Sequence, residues 1–79
     1  LITEHDAWHA WPEPVEVKST VGAGDSSLAG FLLARTRGDQ PKNCLRAAVA
    51  WGTAAAALPG STMPVPSQAD AIRVSLTHL

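Results

Sequence analysis

The hydrophobic period changes inside one stretch of this 79-residue chain, Ser19-Thr20-Val21-Gly22-Ala23-Gly24-Asp25-Ser26-Ser27-Leu28-Ala29-Gly30, and that change limits the fold more than any other feature. Before it, the apolar pieces Leu1-Ile2-Thr3, residues 7–11 and Val15-Glu16-Val17 are broken by Glu4-His5-Asp6 and Pro12-Glu13-Pro14. Brief runs cut by polar and proline punctuation read as two or three short strands joined by turns. From Ser26 onward, Leu28, Phe31, Leu32 and Arg35 fall at helical spacing, Arg35 and Arg37 sit in the last turn, and Gly38 stands where a helix-ending glycine would. The pattern predicts a helix that starts at the glycine turn.

Two more helices are expected. Asp39 offers a cap and Pro41 a first-turn position, after which Leu45, Ala48, Val49, Gly52, Ala55 and Ala56 mark one face until Leu58-Pro59-Gly60 stops it. The small residues on that face allow another element to approach closely. Beyond Ser61-Thr62-Met63-Pro64-Val65-Pro66, Ser67 with Asp70 has the spacing of a capping box, and Ala69, Ile72, Leu76 and Leu79 follow at helical intervals. Short strands followed by three helices, with no internal repeat, make an α/β chain.

Hydrophobic residues form 46% of the sequence and charged residues 16%, which is apolar for a chain whose small size leaves most of its surface in water. Residues 1–79 are therefore expected to be one piece of a larger domain, with an apolar face left for missing chain or for self-association into a homo-oligomer. The start at Leu1-Ile2-Thr3, without an initiator methionine, carries the same expectation of a preceding segment. A formal charge of -1 and six scattered lysines and arginines provide no basic stripe for nucleic acid. Cys44 is the one cysteine, so no internal disulfide forms, which fits a reducing compartment and hence the cytoplasm. No apolar run approaches the roughly 20 residues that span a bilayer, so no membrane is expected as a partner.

The chemistry lies in Gly22-Ala23-Gly24-Asp25. Two glycines flanking an alanine permit close backbone approach at a helix N-terminus, where consecutive amides and the helix dipole favour an anion. Asp25 stands beside that place. A phosphate-binding Walker loop would need Gly-Lys-Ser/Thr, and Gly24-Asp25-Ser26 has an acid where the lysine belongs. A dinucleotide fingerprint would need glycine at position 27, which is Ser27, and an acid behind its second glycine would repel a pyrophosphate. An acid suits phosphoryl transfer to a hydroxyl: amides hold the charge that develops on the transferring group while the carboxylate deprotonates the acceptor.

Residues 19–32, S-T-V-G-A-G-D-S-S-L-A-G-F-L, resemble throughout the C-terminal signature of the PfkB family of carbohydrate kinases. The resemblance implies the C-terminal fragment of a ribokinase-like three-layer α/β/α fold, ATP as phosphoryl donor, Mg2+, and a sugar or sugar phosphate as acceptor. It implies Asp25 as catalytic base and Gly22, Ala23 and Gly24 as the anion hole, together with the Asp25 amide. Residues 47–57 resemble the small-residue helix that borders the adenine pocket in the same family, so Thr20, Val49, Gly52 and Thr53 are expected at the nucleotide. No metal ligands are assigned within the chain. Many members carry Asp-Thr where this chain has Ser19-Thr20, which puts a ribokinase-style monovalent-cation site in question. The S-T-V-G-A-G-D-S form is more like the 1-phosphofructokinase and tagatose-6-phosphate kinase branch, and fructose 1-phosphate is the expected acceptor. Tagatose 6-phosphate, another sugar, or a non-catalytic phosphate-binding module are the other readings. The 79-residue piece alone is expected to be inactive, because the residues that choose the sugar lie upstream.

The remaining conspicuous residues have plainer readings. His5 and His9 are four apart in a segment that reads as strand and turn, which separates them by about 13 Å along the axis, so they are expected as exposed polar residues. Trp8 and Trp11 are left without a role, Trp51 reads as core or cover, and Gly30 reads as a helix-packing point. Arg35 and Arg37 are explained by the helix dipole, and Cys44 as a small packing residue.

Overall fold

Glycine sets the limits of the first helix. Gly22 (φ 80°, ψ -4°) lies in the left-handed region as N-cap, and the helix, α1, runs over Ala23–Thr36. It stops at Arg37, followed by Gly38 at φ 80°, the backbone conformation that ends helices most cheaply when no Cβ is present. The second helix, α2, spans Pro41–Ala56. The computed structural model describes residues 6–60 and 62–79. The remaining elements are a strand β1 (Trp8–Pro12), a short helix α3 (Pro66–Asp70) and a strand β2 (Val74–His78).

The two long helices form an antiparallel hairpin whose seam is made of small residues. A Cβ on Gly30 would lie 2.5 Å from Trp51 Cδ1 and 2.7 Å from the Ala47 carbonyl oxygen, so only glycine fits there. Nearer the start of α1, a Cβ on Gly52 would come within 3.2 Å of Ser27 Cβ and 3.4 Å of the Ala23 carbonyl oxygen. Along the seam and against α3 the buried residues include Ala34, Cys44, Ala50, Ala54, Ala55 and Ala69, with the polar Ser26, and Pro64 is buried as well. Gly30 and Cys44 thus have the packing roles expected of them, and Trp51 covers the seam. The large side chains point elsewhere: Val21, Leu28 and Leu32 are all exposed, the two leucines one turn apart on the same side of α1. This is the uncovered apolar face that the composition anticipates.

Four expectations on secondary structure change. Asp39 is not the cap of α2; Gln40 is, in an extended conformation at φ -64° and ψ 154°. Pro41 at the first helical position forces its predecessor out of the helical region, so the boundary falls one residue later. Asp39 instead pairs with Arg37 at 3.3 Å and accepts from Cys44 Sγ through its carbonyl at 3.6 Å.

The third helix is only α3, and the chain closes with a strand. Gln68 Oε1 accepts from the Val65 amide at 2.9 Å and the Gln68 amide donates to the Val65 carbonyl at 2.9 Å, so Val65 with Gln68 closes the start of α3, two residues before Ser67 with Asp70. Ile72, Val74 and Leu76 alternate with Arg73, Ser75 and Thr77, a period of two that the four-residue interval from Ile72 to Leu76 satisfies as well as a helical one. β2 pairs antiparallel with β1, Trp8 opposite His78 and Ala10 opposite Leu76. At the open end Glu13 N donates to the Arg73 carbonyl (2.8 Å) and Arg73 N to Glu13 Oε1 (3.0 Å).

Of the strands expected in residues 1–18, β1 is the one among the described residues. Leu1-Ile2-Thr3 and His5 lie outside them. Val15-Glu16-Val17 forms no strand, since Pro12 and Pro14 withhold ladder donors and the next amides turn to α2. Ala10, Val74 and Leu76 share the half-buried face of the hairpin, whereas His9, Trp11, Ser75 and Thr77 share the exposed one. Among the described residues no helix is long and apolar enough to cross a membrane.

Candidate active site at the start of α1

The entry to α1 is fixed by backbone bonds. The amides of Lys18 and Ser19 both donate to the Ala56 carbonyl, at 2.8 and 3.2 Å. They satisfy one of the acceptors that a helix end leaves open and pin the chain against the last turn of α2. Ser19 Oγ then accepts from the Val21 amide at 3.2 Å. The Thr20 carbonyl accepts from the Ala23 amide at 3.3 Å, and the Gly22 carbonyl from the Ser26 amide at 3.0 Å.

These bonds decide which donors remain. The cap residue Gly22 has no side chain to offer, and among the described residues the amides of Gly24 and Asp25 donate to no protein acceptor. The Ala23 amide, expected with them, is bonded to Thr20. Gly24 has an ordinary negative φ, and a Cβ there would meet nothing within 4 Å. No contact within the described chain therefore requires glycine at this position, although glycine in a helix costs about 1 kcal/mol relative to alanine. What the missing side chain does is leave the N-terminus of α1 bare.

Asp25 lies in this first turn, exposed, and its carboxylate has no hydrogen-bond or ion-pair partner among the described residues. A carboxylate next to two free amides at the positive end of a helix dipole can take a proton from a hydroxyl while the amides hold negative charge. Free amides and open space over Gly24 suit a phosphate group.

The residues expected at the nucleotide are spread over both sides of this turn. Thr20 is exposed on the incoming segment. Gly52 meets Ala23 and Ser27 directly, so its missing side chain serves helix contact and brings α2 against the first turn of α1. Val49 and Thr53 are half-buried on α2, and the Thr53 carbonyl accepts from the Ala57 amide at 3.1 Å.

Two meetings of side chains, one at the site and one at the start of α2, have no sequence signal. Ser26 is 2% exposed, and its hydroxyl donates to Met63 Sδ at 3.2 Å across 37 positions of sequence. No spacing rule joins positions so far apart. Likewise His78 Nε2 meets Asp6 Oδ1 at 2.6 Å, and the His78 ring lies 4.6 Å from that of Trp8, which receives Lys42 Nζ at 5.4 Å. A separate groove of about 350 Å3, lined by Leu33, Arg37, Asp39, Arg46, Trp51 and Asp70 among others, lies towards the turn between α1 and α2, away from the start of α1. Its arginines are engaged locally, Arg37 with Asp39 and Arg46 with Asn43 Oδ1, each at 3.3 Å.

Known proteins agree on the family. Residues 1–68 match the model of the pfkB family carbohydrate kinases. Fructoselysine 6-kinase of Escherichia coli K12 is 50% identical over 50 residues, covering 63% of this chain and 18% of that protein. The 1-phosphofructokinase of Haloferax volcanii is 36% identical over 64 residues, covering 81% of this chain and 21% of that protein. A solved structure from Staphylococcus aureus, described as a candidate phosphofructokinase, superposes with a TM-score of 0.87 at 27% identity, over 96% of this chain and 25% of that one. The chain spans about a fifth of the length of the curated relatives it matches. It belongs to the pfkB family of carbohydrate kinases.

Proposed function

We propose that this pfkB-family chain supplies the phosphate-handling half of a sugar kinase, in which Asp25 is the base for phosphoryl transfer from ATP to a sugar hydroxyl. One observation carries the reading: among the described residues the Asp25 carboxylate has no partner, and it stands in the same helical turn as two amides without acceptors, under the open space at Gly24. When bound, ATP supplies the phosphoryl group. The Gly24 and Asp25 amides hold its negative charge, and the left-handed Gly22 and the Thr20–Ala23 bond set the angle at which they are presented. Asp25 accepts the hydroxyl proton as the acceptor oxygen attacks. Thr20, Val49, Gly52 and Thr53 flank the nucleotide, Gly52 by drawing α2 up to the turn. Among the described residues no three His, Cys, Asp or Glu side chains gather into a metal-holding group; Mg2+ would come with ATP, held largely by the nucleotide's own phosphates.

Fructose 1-phosphate, converted to fructose 1,6-bisphosphate, is the acceptor assigned, supported by the S-T-V-G-A-G-D-S form and by the likeness to a 1-phosphofructokinase. Fructoselysine is the second reading, favoured by the 50% identity to a fructoselysine 6-kinase over 50 residues. A cytoplasmic location, where ATP is abundant, is part of the same proposal. The test is to assay the protein carrying this chain with ATP against fructose 1-phosphate, tagatose 6-phosphate and fructoselysine. Highest kcat/KM with fructose 1-phosphate supports the assignment; preference for fructoselysine replaces it; phosphorylation of none of the three refutes both acceptors.

A further inference from the structure

The buried hydroxyl of Ser26 has an unusual partner. A serine inside a helix commonly turns its hydroxyl back to the carbonyl four residues earlier, sharing that oxygen with its own amide; here the Gly22 carbonyl receives the Ser26 amide at 3.0 Å and the hydroxyl turns away. The hydroxyl reaches instead to Met63 Sδ at 3.2 Å, and no buried side-chain polar atom among the described residues lacks a partner. Met63 is itself 51% exposed. Burial does little to hold the Met63 side chain, although the next residue, Pro64, is buried, and the bond from Ser26 is a side-chain tie between residues 62–65 and α1. On either side that segment is fastened to other places: Thr62 Oγ1 donates to the Pro59 carbonyl at 2.9 Å, and the Val65 amide to Gln68 Oε1 at 2.9 Å.

Ser26 follows Asp25 directly and closes the helical turn that holds the free amides of Gly24 and Asp25. We propose that Met63 is a positioning residue: its thioether latches residues 62–65 against the first turn of α1, and so sets one wall of the phosphate-donor site. The inference rests on the kinase reading of that turn. A loosened latch leaves the binding-competent arrangement only fractionally populated, which weakens apparent nucleotide affinity by that fraction and leaves the bound complex unchanged. Loss of one neutral hydrogen bond corresponds to about a five-fold change.

The test uses the protein carrying this chain with Ser26→Ala, Met63→Leu, the double variant and Met63→Gln, which puts a carbonyl oxygen in place of the sulfur. Two readouts separate the latch from the kinase reading. Amide hydrogen exchange at Ser26 and Val65, the hydrogen-bonded amides on either side of the contact, is expected to rise about five-fold in both single variants and to return towards the native rate in Met63→Gln. The KM for ATP is expected to rise by about the same factor with kcat within about two-fold, and the double variant to match the singles because one interaction is lost in each. Native exchange rates in both single variants refute the latch, whatever the protein catalyses. Faster exchange with an unchanged KM, or a fall in kcat alone, refutes the positioning role. Absence of any kinase activity in the unaltered protein refutes the functional reading and leaves the exchange result to decide the latch.

Discussion

Gly30 and Gly24 lie six positions apart on α1 and are glycine for opposite reasons. At Gly30 the surroundings forbid a side chain: the Trp51 ring and the Ala47 carbonyl would both lie within 2.7 Å of a Cβ. At Gly24 nothing lies within 4 Å and φ is ordinary, so the described chain would accept alanine and gain helix stability from it. The first glycine is explained by packing. The second has no such explanation among the described residues, and under the proposed function it keeps the turn beside Asp25 open to the phosphate group. A rule-breaking residue whose local cost has no local return points to a site.

Substitutions at these two positions break or sharpen the contrast. Gly30→Ala has the largest expected effect on stability, a loss of about 1–3 kcal/mol from forcing a methyl group into a closed seam. Urea unfolding of the protein carrying this chain reads it, and an unchanged midpoint would show that the helices move apart freely. Gly24→Ala is expected to act in the other direction, a gain of about 0.4–1 kcal/mol, while ATP binding by titration calorimetry weakens. A variant both more stable and undiminished in nucleotide affinity would remove the reason given for this glycine. Smallest is Arg37→Ala, which removes an ion pair whose arginine side chain is 61% exposed; the expected loss is at most about 0.5 kcal/mol, and a larger one would make the turn between α1 and α2 a determinant of the fold.

The same contrast accounts for what the sequence discloses. The start of α1 is legible because its determinants are consecutive: glycine conformations, the helical period after Ser26 and the acid all fall within a few residues. Gly30 is legible as a packing point because a glycine inside a helix needs a neighbour, though nothing in the sequence names Trp51. The closing strand is hidden because Ile72 and Leu76 satisfy two periods at once, and pairing with a segment more than sixty residues away chooses between them. The cap of α2 is misplaced by one residue because two polar residues precede Pro41 and only proline's steric demand selects Gln40. Ser26 with Met63, and His78 with Asp6, are tertiary meetings that no local pattern encodes. The family signature reaches further than local physics, since it brings in an acceptor and a nucleotide that no contact within this chain specifies.

Asp25→Asn in the protein carrying this chain tests the central claim most directly, because it keeps the shape of the side chain and removes its capacity to take a proton. With kcat and ATP affinity measured side by side, the expected result is a fall in kcat of about 10²–10⁴-fold with nucleotide affinity nearly intact. Turnover equal to that of the unaltered protein would contradict the account and leave the glycine turn as an anion grip without a base.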